Sequence, residues 1–208
     1  MFVAPYDTPA ITRHMRLIWS CLGMSRDEIE VCLSQTSSGS NLLVDQSDIG
    51  WLRAQAPRHN LLRLGLTGVE RLRPDGSVAE TMALYEHCLP SQIVDHPTRS
   101  AIALDIVLDE NTEEAWEQAE TLIALGLRSQ IAAAALIGTA QEIALRLNDY
   151  RKLGFYDVIL TAPADRAPYR SAGEVLMPLL RQQAIPLESH ARVAGISHGP
   201  FEWHGAAL

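Results

Sequence analysis

Two apolar runs in the second half of the chain narrow most sharply what it can fold into. Residues 101–108 (AIALDIVL) and 155–160 (FYDVIL) are dense in aliphatic side chains. Such runs mark strands buried on both faces of a parallel sheet. Ile102, Leu104, Ile106 and Leu108 fall on one face of the first run; Ala103 and Val107 fall on the other, which Asp105 interrupts. Between the runs lie two helices with their own start and stop signals. Asn111 or Thr112 caps the first, Glu113 and Glu114 favour the positive end of its dipole, and Gly126 closes it. Gly138-Thr139 opens the second: Thr139 and Glu142 form a capping box, and Ile143, Leu147, Tyr150 and Leu153 recur at helical spacing up to Gly154. Alternation of this kind predicts βαβ units and a parallel sheet.

Upstream the pattern is thinner. The spacing of Ile11, Met15, Leu17, Ile18 and Leu22 predicts a helix over 11–22. Ser25 and Glu28 fit a capping box, yet Ile29, Val31 and Leu33 alternate, and the reading favoured is a strand over 29–33 followed by a polar turn. A helix is expected over 41–55, a short strand over 61–66 and a helix over 75–89. Tyr169–Gln182 reads as the last helix, shortened or kinked by Pro178. The expectation is one α/β domain over 1–183, with 184–208 as an irregular tail. Its fold class is a partial or reduced (β/α)8, TIM-like barrel of parallel strands, because a full barrel typically takes about 250 residues and this chain has 208.

The charge balance excludes some functions. Seventeen basic and 25 acidic residues give a net charge of −8, which argues against a nucleic-acid partner. Arg58, Arg63, Arg71 and Arg73 read as solvated arginines. Three scattered cysteines without a CxxC point to a reducing cytoplasm rather than a disulfide scaffold. No secretory signal pattern is visible, and the longest apolar stretch, 131–137, is too short to span a bilayer.

For chemistry, the strongest candidate is the turn Thr36, Ser37, Ser38, Gly39 and Ser40. Read as strand–turn–helix, it would bring hydroxyls and backbone N–H groups to a helix N-terminus, where phosphate binds. Gly138 and Thr139 would face a cofactor at the C-terminal end of a strand; Thr161, Ala162 and Asp165 follow the last strand on the same face, where Asp165 reads as pairing with Arg166 or Arg170 in solvent. None of the histidines (His14, His59, His87, His96, His190, His198, His204) shows metal-ligand spacing, so no metal is expected. His87 and Cys88 are adjacent, and on the helix expected there their side chains diverge. No residue is assigned a catalytic role.

The segments DIVLDENTEEAWEQA (105–119), LIGTAQEIALRLNDYRKLGFYDVIL (136–160), GEVLMPLL (173–180) and ALYEHCLPSQIVDHP (83–97) occur in an order and spacing that resembles the C-terminal half of the bacterial luciferase-like flavin monooxygenases. The resemblance covers residues 83–182. It implies a TIM-like barrel binding reduced FMN, with oxygen oxidising a small organic substrate; VCLSQTSSGSNLL (31–43) followed by SDIGWL (47–52) resembles the family's Ser/Thr-rich turn, which implies that the 36–40 turn holds the FMN phosphate. It also implies a flavin reductase as a possible partner. Two other functions compete with it. A half-barrel with open edges would pair with a second chain as a homo- or hetero-oligomeric, non-catalytic subunit. A phosphate-ligand binding module is the third.

Overall fold

The computed structural model describes residues 14–36, 38–94, 99–126, 133–161 and 175–181. Its frame is eight strands: β1 (Arg16–Ser20), β2 (Asn41–Leu43), β3 (Asn60–Leu64), β4 (Val69–Leu72), β5 (Val78–Glu86), β6 (Ser100–Leu108), β7 (Leu136–Gly138) and β8 (Asp157–Thr161). Four helices accompany them: α1 (Arg26–Gln35), α2 (Ile49–Gln55), α3 (Thr112–Ala124) and α4 (Ala140–Lys152). A further helical stretch occupies 175–181.

Seven strands close a ring in the order β1-β2-β3-β4-β5-β6-β8 and back to β1. Neighbours are parallel except where β4 runs against both β3 and β5. The eighth, β7, pairs only with the last residues of β6, Ile106–Leu108, beyond the stretch that pairs with β5. This overturns the expected partial or reduced (β/α)8, TIM-like barrel of parallel strands. The barrel is closed and mixed, and its helices are mostly short.

Two local causes produce that outcome. The first is the segment 65–77. Gly65 N–H donates to the Gly68 carbonyl at 2.8 Å, and a second turn at Asp75–Ser77 returns the chain. Gly68 lies at φ +149°, and a Cβ there would stand 2.0 Å from the Met82 carbonyl oxygen, so only glycine lets β4 lie this close to β5. Two tight reversals place three strands where a βα unit would have placed one. The second cause is strand order. β8 returns to the far side of β6 from β7, so the local order is β7-β6-β8. Right-handed crossovers then put α3 and α4 on opposite faces of the sheet. Ala115 and Ala119 of α3 pack on Val107 and Ile137, while Ile143, Ala144 and Leu147 of α4 join the outer core with Ile102, Leu104 and Leu160.

The second-half elements match their local signals: β6, α3, α4 with its Thr139–Glu142 capping box, and β8. Several first-half elements do not. Residues 16–20 are a strand within the helix expected over 11–22, and β5 replaces the helix expected over 75–89. Val78 and Met82 are four apart, a spacing that suits both periods; Leu84, two further on, belongs only to the strand. Residues 29–33 lie inside α1, where the Ser25–Glu28 capping box is formed. Ile29 and Cys32 are buried and Val31 points out. The helix expected over 41–55 divides into β2, a 3-10 turn (Gln46–Asp48) and α2.

The barrel interior is layered. Its middle is apolar: Ile18, Leu43, Leu62, Val69, Met82 and Ile159, one from each of six strands, with the two small residues Ala101 and Ala103 from β6. Below it, at the end where the parallel strands begin, Asp157 bridges Arg16 (2.5 Å) and Arg71 (3.2 Å), and Arg71 also reaches Asn41 (3.2 Å). Arg63 pairs with Glu70 at 2.7 Å. Arg63 and Arg71 are therefore fixed in ion pairs rather than freely solvated. Above the apolar layer, where the parallel strands end, polar residues return. Within the ring every strand has two neighbours, while β7 pairs with β6 alone among the described strands.

Candidate functional site at the barrel mouth

β5 ends at Glu86, and His87 turns the chain away with φ +49°. It is the sole non-glycine residue with positive φ among the described residues. Such a backbone persists only where neighbours hold it on both sides. Here the His87 N–H donates to the Ala103 carbonyl at 3.0 Å. On the other side, the Tyr150 hydroxyl of α4 donates to the Cys88 carbonyl at 2.9 Å. Burial of Tyr150 pushes its pKa up to about 12, so it stays a donor.

This turn aims the imidazole at Asp105, whose side chain faces inward from β6. His87 Nδ1 stands 3.3 Å from Asp105 Oδ2, close but without the alignment of a hydrogen bond. Thr161, at the end of β8, donates its hydroxyl to Asp105 Oδ1. Burial raises the Asp105 pKa, against the Thr161 hydrogen bond and the neighbouring imidazole, which both lower it. Ser20, buried at the end of β1, belongs to the next strand of the ring. His87, Asp105, Thr161 and Ser20 thus come from four successive ring strands and form a polar arc. With Nδ1 turned to Asp105, Nε2 is the ring nitrogen left to face a ligand. The arrangement can take up a proton at Nε2 and meet the resulting charge with a carboxylate held by Thr161.

The residues expected to bind a cofactor lie elsewhere. Thr36 is the C-cap of α1, and Ser38, Gly39 and Ser40 lead into β2. The order is helix–turn–strand, the reverse of the strand–turn–helix that a phosphate requires. The turn sits at the opposite end of the barrel from the mouth. Asn60 reads its carbonyls, Nδ2 bonding to Gly39 O and N–H to Ser40 O, each at 3.0 Å. A helix C-terminus and outward carbonyls repel an anion. Ser37 lies outside the described residues.

Gly138 and Thr139 do sit at a strand's C-terminal end, beside a groove of about 730 Å³ lined by Leu108, Asp109, Glu110, Gln141, Val175 and Leu179 among others. The helix N-terminus there is already filled. The Glu142 carboxylate accepts from the Thr139 N–H (2.8 Å), the Thr139 hydroxyl (3.0 Å) and the Thr112 hydroxyl (2.9 Å), and these bonds hold its pKa down. With Asp109 and Glu110 alongside, this is a poor place for a phosphate. Neither set of residues fits the phosphate of FMN. His96, Asp165, His190, His198 and His204 lie outside the described residues. Among the described residues, no group of three or more His, Cys, Asp or Glu side chains could hold a metal ion, and no helix is long and apolar enough to cross a membrane.

The His87–Asp105 pair is the site that sequence reasoning missed. Its one visible signal was Asp105 itself, a carboxylate inside an otherwise apolar strand.

No family model matches the chain, and no curated protein matches it. Among solved structures, it is similar to the monooxygenase RslO1 from Streptomyces bottropensis, at 15% sequence identity and a TM-score of 0.32. That alignment covers 69% of this chain and 47% of RslO1, so the chain spans about half the length of that relative. A likeness this slight assigns neither fold nor chemistry.

Proposed function

We propose that the chain is an oxidoreductase acting on a small organic molecule at the C-terminal mouth of the barrel, with His87 receiving a substrate proton. The observation that carries the reading is the His87–Asp105–Thr161 arrangement. An imidazole is held in a strained backbone against a buried carboxylate, and unusual conformations and raised carboxyl pKa values gather at working sites. The oxidative class rests on the resemblance of residues 83–182 to monooxygenases. His87 Nε2 takes the proton from the carbon or oxygen being oxidised, with dioxygen as the co-substrate that accepts the electrons; Asp105 stabilises the imidazolium; Thr161 keeps the carboxylate in place. Because the residues expected to hold FMN do not fit it, no step is assigned to flavin.

The test is oxygen uptake over a panel of small aldehydes, ketones and phenols, run with and without reduced FMN. The wild-type chain is compared with His87→Gln and Asp105→Asn. The reading expects substrate-dependent uptake that falls about 10²- to 10⁴-fold in His87→Gln, the usual worth of a positioned acid–base group. A His87→Gln variant that turns over at the wild-type rate would overturn it.

A further inference from the structure

Cys21 follows β1, and Cys32 lies on α1 directly against it. Their sulfurs are 3.7 Å apart, and both side chains are buried, with 1% and 3% of their surfaces exposed. Disulfide sulfurs sit about 2.05 Å apart, so closing the gap asks each sulfur to move by about 0.8 Å. Burial ordinarily keeps a thiol inert. The element that covers this pair is lightly held, however. Among the α1 residues whose side chains are described, Ile29 and Cys32 are buried and Leu33 is half-buried, while Arg26, Asp27, Glu28, Glu30 and Val31 are exposed. A helix attached by so few apolar contacts opens locally at low cost, and that opening presents both sulfurs to a small reagent together.

We infer that Cys21 and Cys32 form a reversible redox pair, closed by a peroxide, which fastens α1 to the end of β1. One thiolate attacks a peroxide oxygen, the O–O bond breaks, and one water leaves with a sulfenic acid formed on that sulfur. The second sulfur attacks the first, the S–S bond forms, the S–O bond breaks, and a second water leaves. Two thiols and one hydrogen peroxide give one disulfide and two waters. The two electrons pass from the sulfurs to the peroxide. Cys88, half-buried beside His87, takes no part.

The experiment uses the full chain carrying Cys88→Ser, so that only the paired thiols remain. It is treated with hydrogen peroxide while folded, quenched, unfolded and alkylated. The expected result is a loss of two hydrogens in mass and a link between tryptic peptides Leu17–Arg26 and Asp27–Arg53. Amide exchange in α1 should slow at least about tenfold in the oxidised form and recover with dithiothreitol. Adding Cys21→Ser or Cys32→Ser should abolish both the link and the slowing. Two alkylatable thiols after peroxide, disulfide-linked dimers in place of the internal link, or a link that leaves α1 exchange unchanged would each overturn the inference.

Discussion

The positive φ of His87 has a measurable cost, and replacing the residue in two ways separates that cost from the loss of the side chain. An L-residue in the left-handed region costs about 1–2 kcal/mol. Both His87→Ala and His87→Gly remove the imidazole from Asp105, so they share that loss. Alanine keeps the backbone penalty; glycine escapes it but has more conformational freedom to lose on folding, about 0.5–1 kcal/mol. Taken at their midpoints, these terms leave His87→Gly more stable than His87→Ala by about 0.75 kcal/mol. For a domain of this size 1 kcal/mol moves the midpoint by about 2–4 °C, so the gap in Tm should be about 1.5–3 °C. Thermal scans and urea titrations of the two variants in parallel measure it, and neither should show the oxidative activity proposed for the wild-type chain. If His87→Ala melts at or above His87→Gly, the backbone is not held in the left-handed region. The strain at the mouth, and the two hydrogen bonds said to maintain it, would then be refuted.

Asp105 yields a pH prediction. Burial raises its folded pKa above the unfolded value, so its contribution is fully favourable below the unfolded pKa and is lost as pH rises through the folded one. Wild-type stability should therefore fall relative to Asp105→Asn as pH rises from the ordinary aspartate range toward neutrality, in urea unfolding at a series of pH values; parallel curves would count against a buried carboxylate. At the opposite end of the barrel, Asp157→Asn leaves Arg16 and Arg71 facing each other without their shared counter-charge. The cost should be about 2 kcal/mol, below the 3–5 kcal/mol of a fully buried pair because Arg16 is two-fifths exposed. That corresponds to a drop of about 4–8 °C in Tm, and an unchanged midpoint would show that the network contributes only geometry.

The elements most legible in the sequence carry a chemical start signal together with a helical period; α1 has the signal, its Ser25–Glu28 capping box, but the alternation of Ile29, Val31 and Leu33 outweighed it. Asn111 and Thr139 end their side chains in the oxygen that a helix N-terminus needs, and both cap as expected. Where only spacing was available, two periods competed. Residues four apart share a face in a helix and in a strand alike, so Val78 and Met82 supported the wrong element. What no local pattern contains is the pairing. That β8 joins β6 across from β7, and that β4 folds back between β3 and β5, are relations between segments far apart in the chain. They decide whether the same strands make a parallel TIM-like wall or a closed mixed ring.

The misread strand is also what hid the site. On a helix over 75–89, His87 would have been one polar residue among several, with no reason to meet Asp105. At the end of β5 it stands beside β6, hydrogen-bonded to Ala103, two residues before that carboxylate. Asp105 carried the information needed to ask the question. A carboxylate cannot be placed inside an apolar strand without partners, so it demanded a donor from each neighbouring strand. Thr161 answers from β8 with a hydrogen bond, and the His87 imidazole stands 3.3 Å away just past the end of β5, unaligned for one. The demand of one buried carboxylate was thus a better guide to the polar mouth of this barrel than the serine-rich turn. That turn had the right composition for a phosphate, but its helix lies on the wrong side of it.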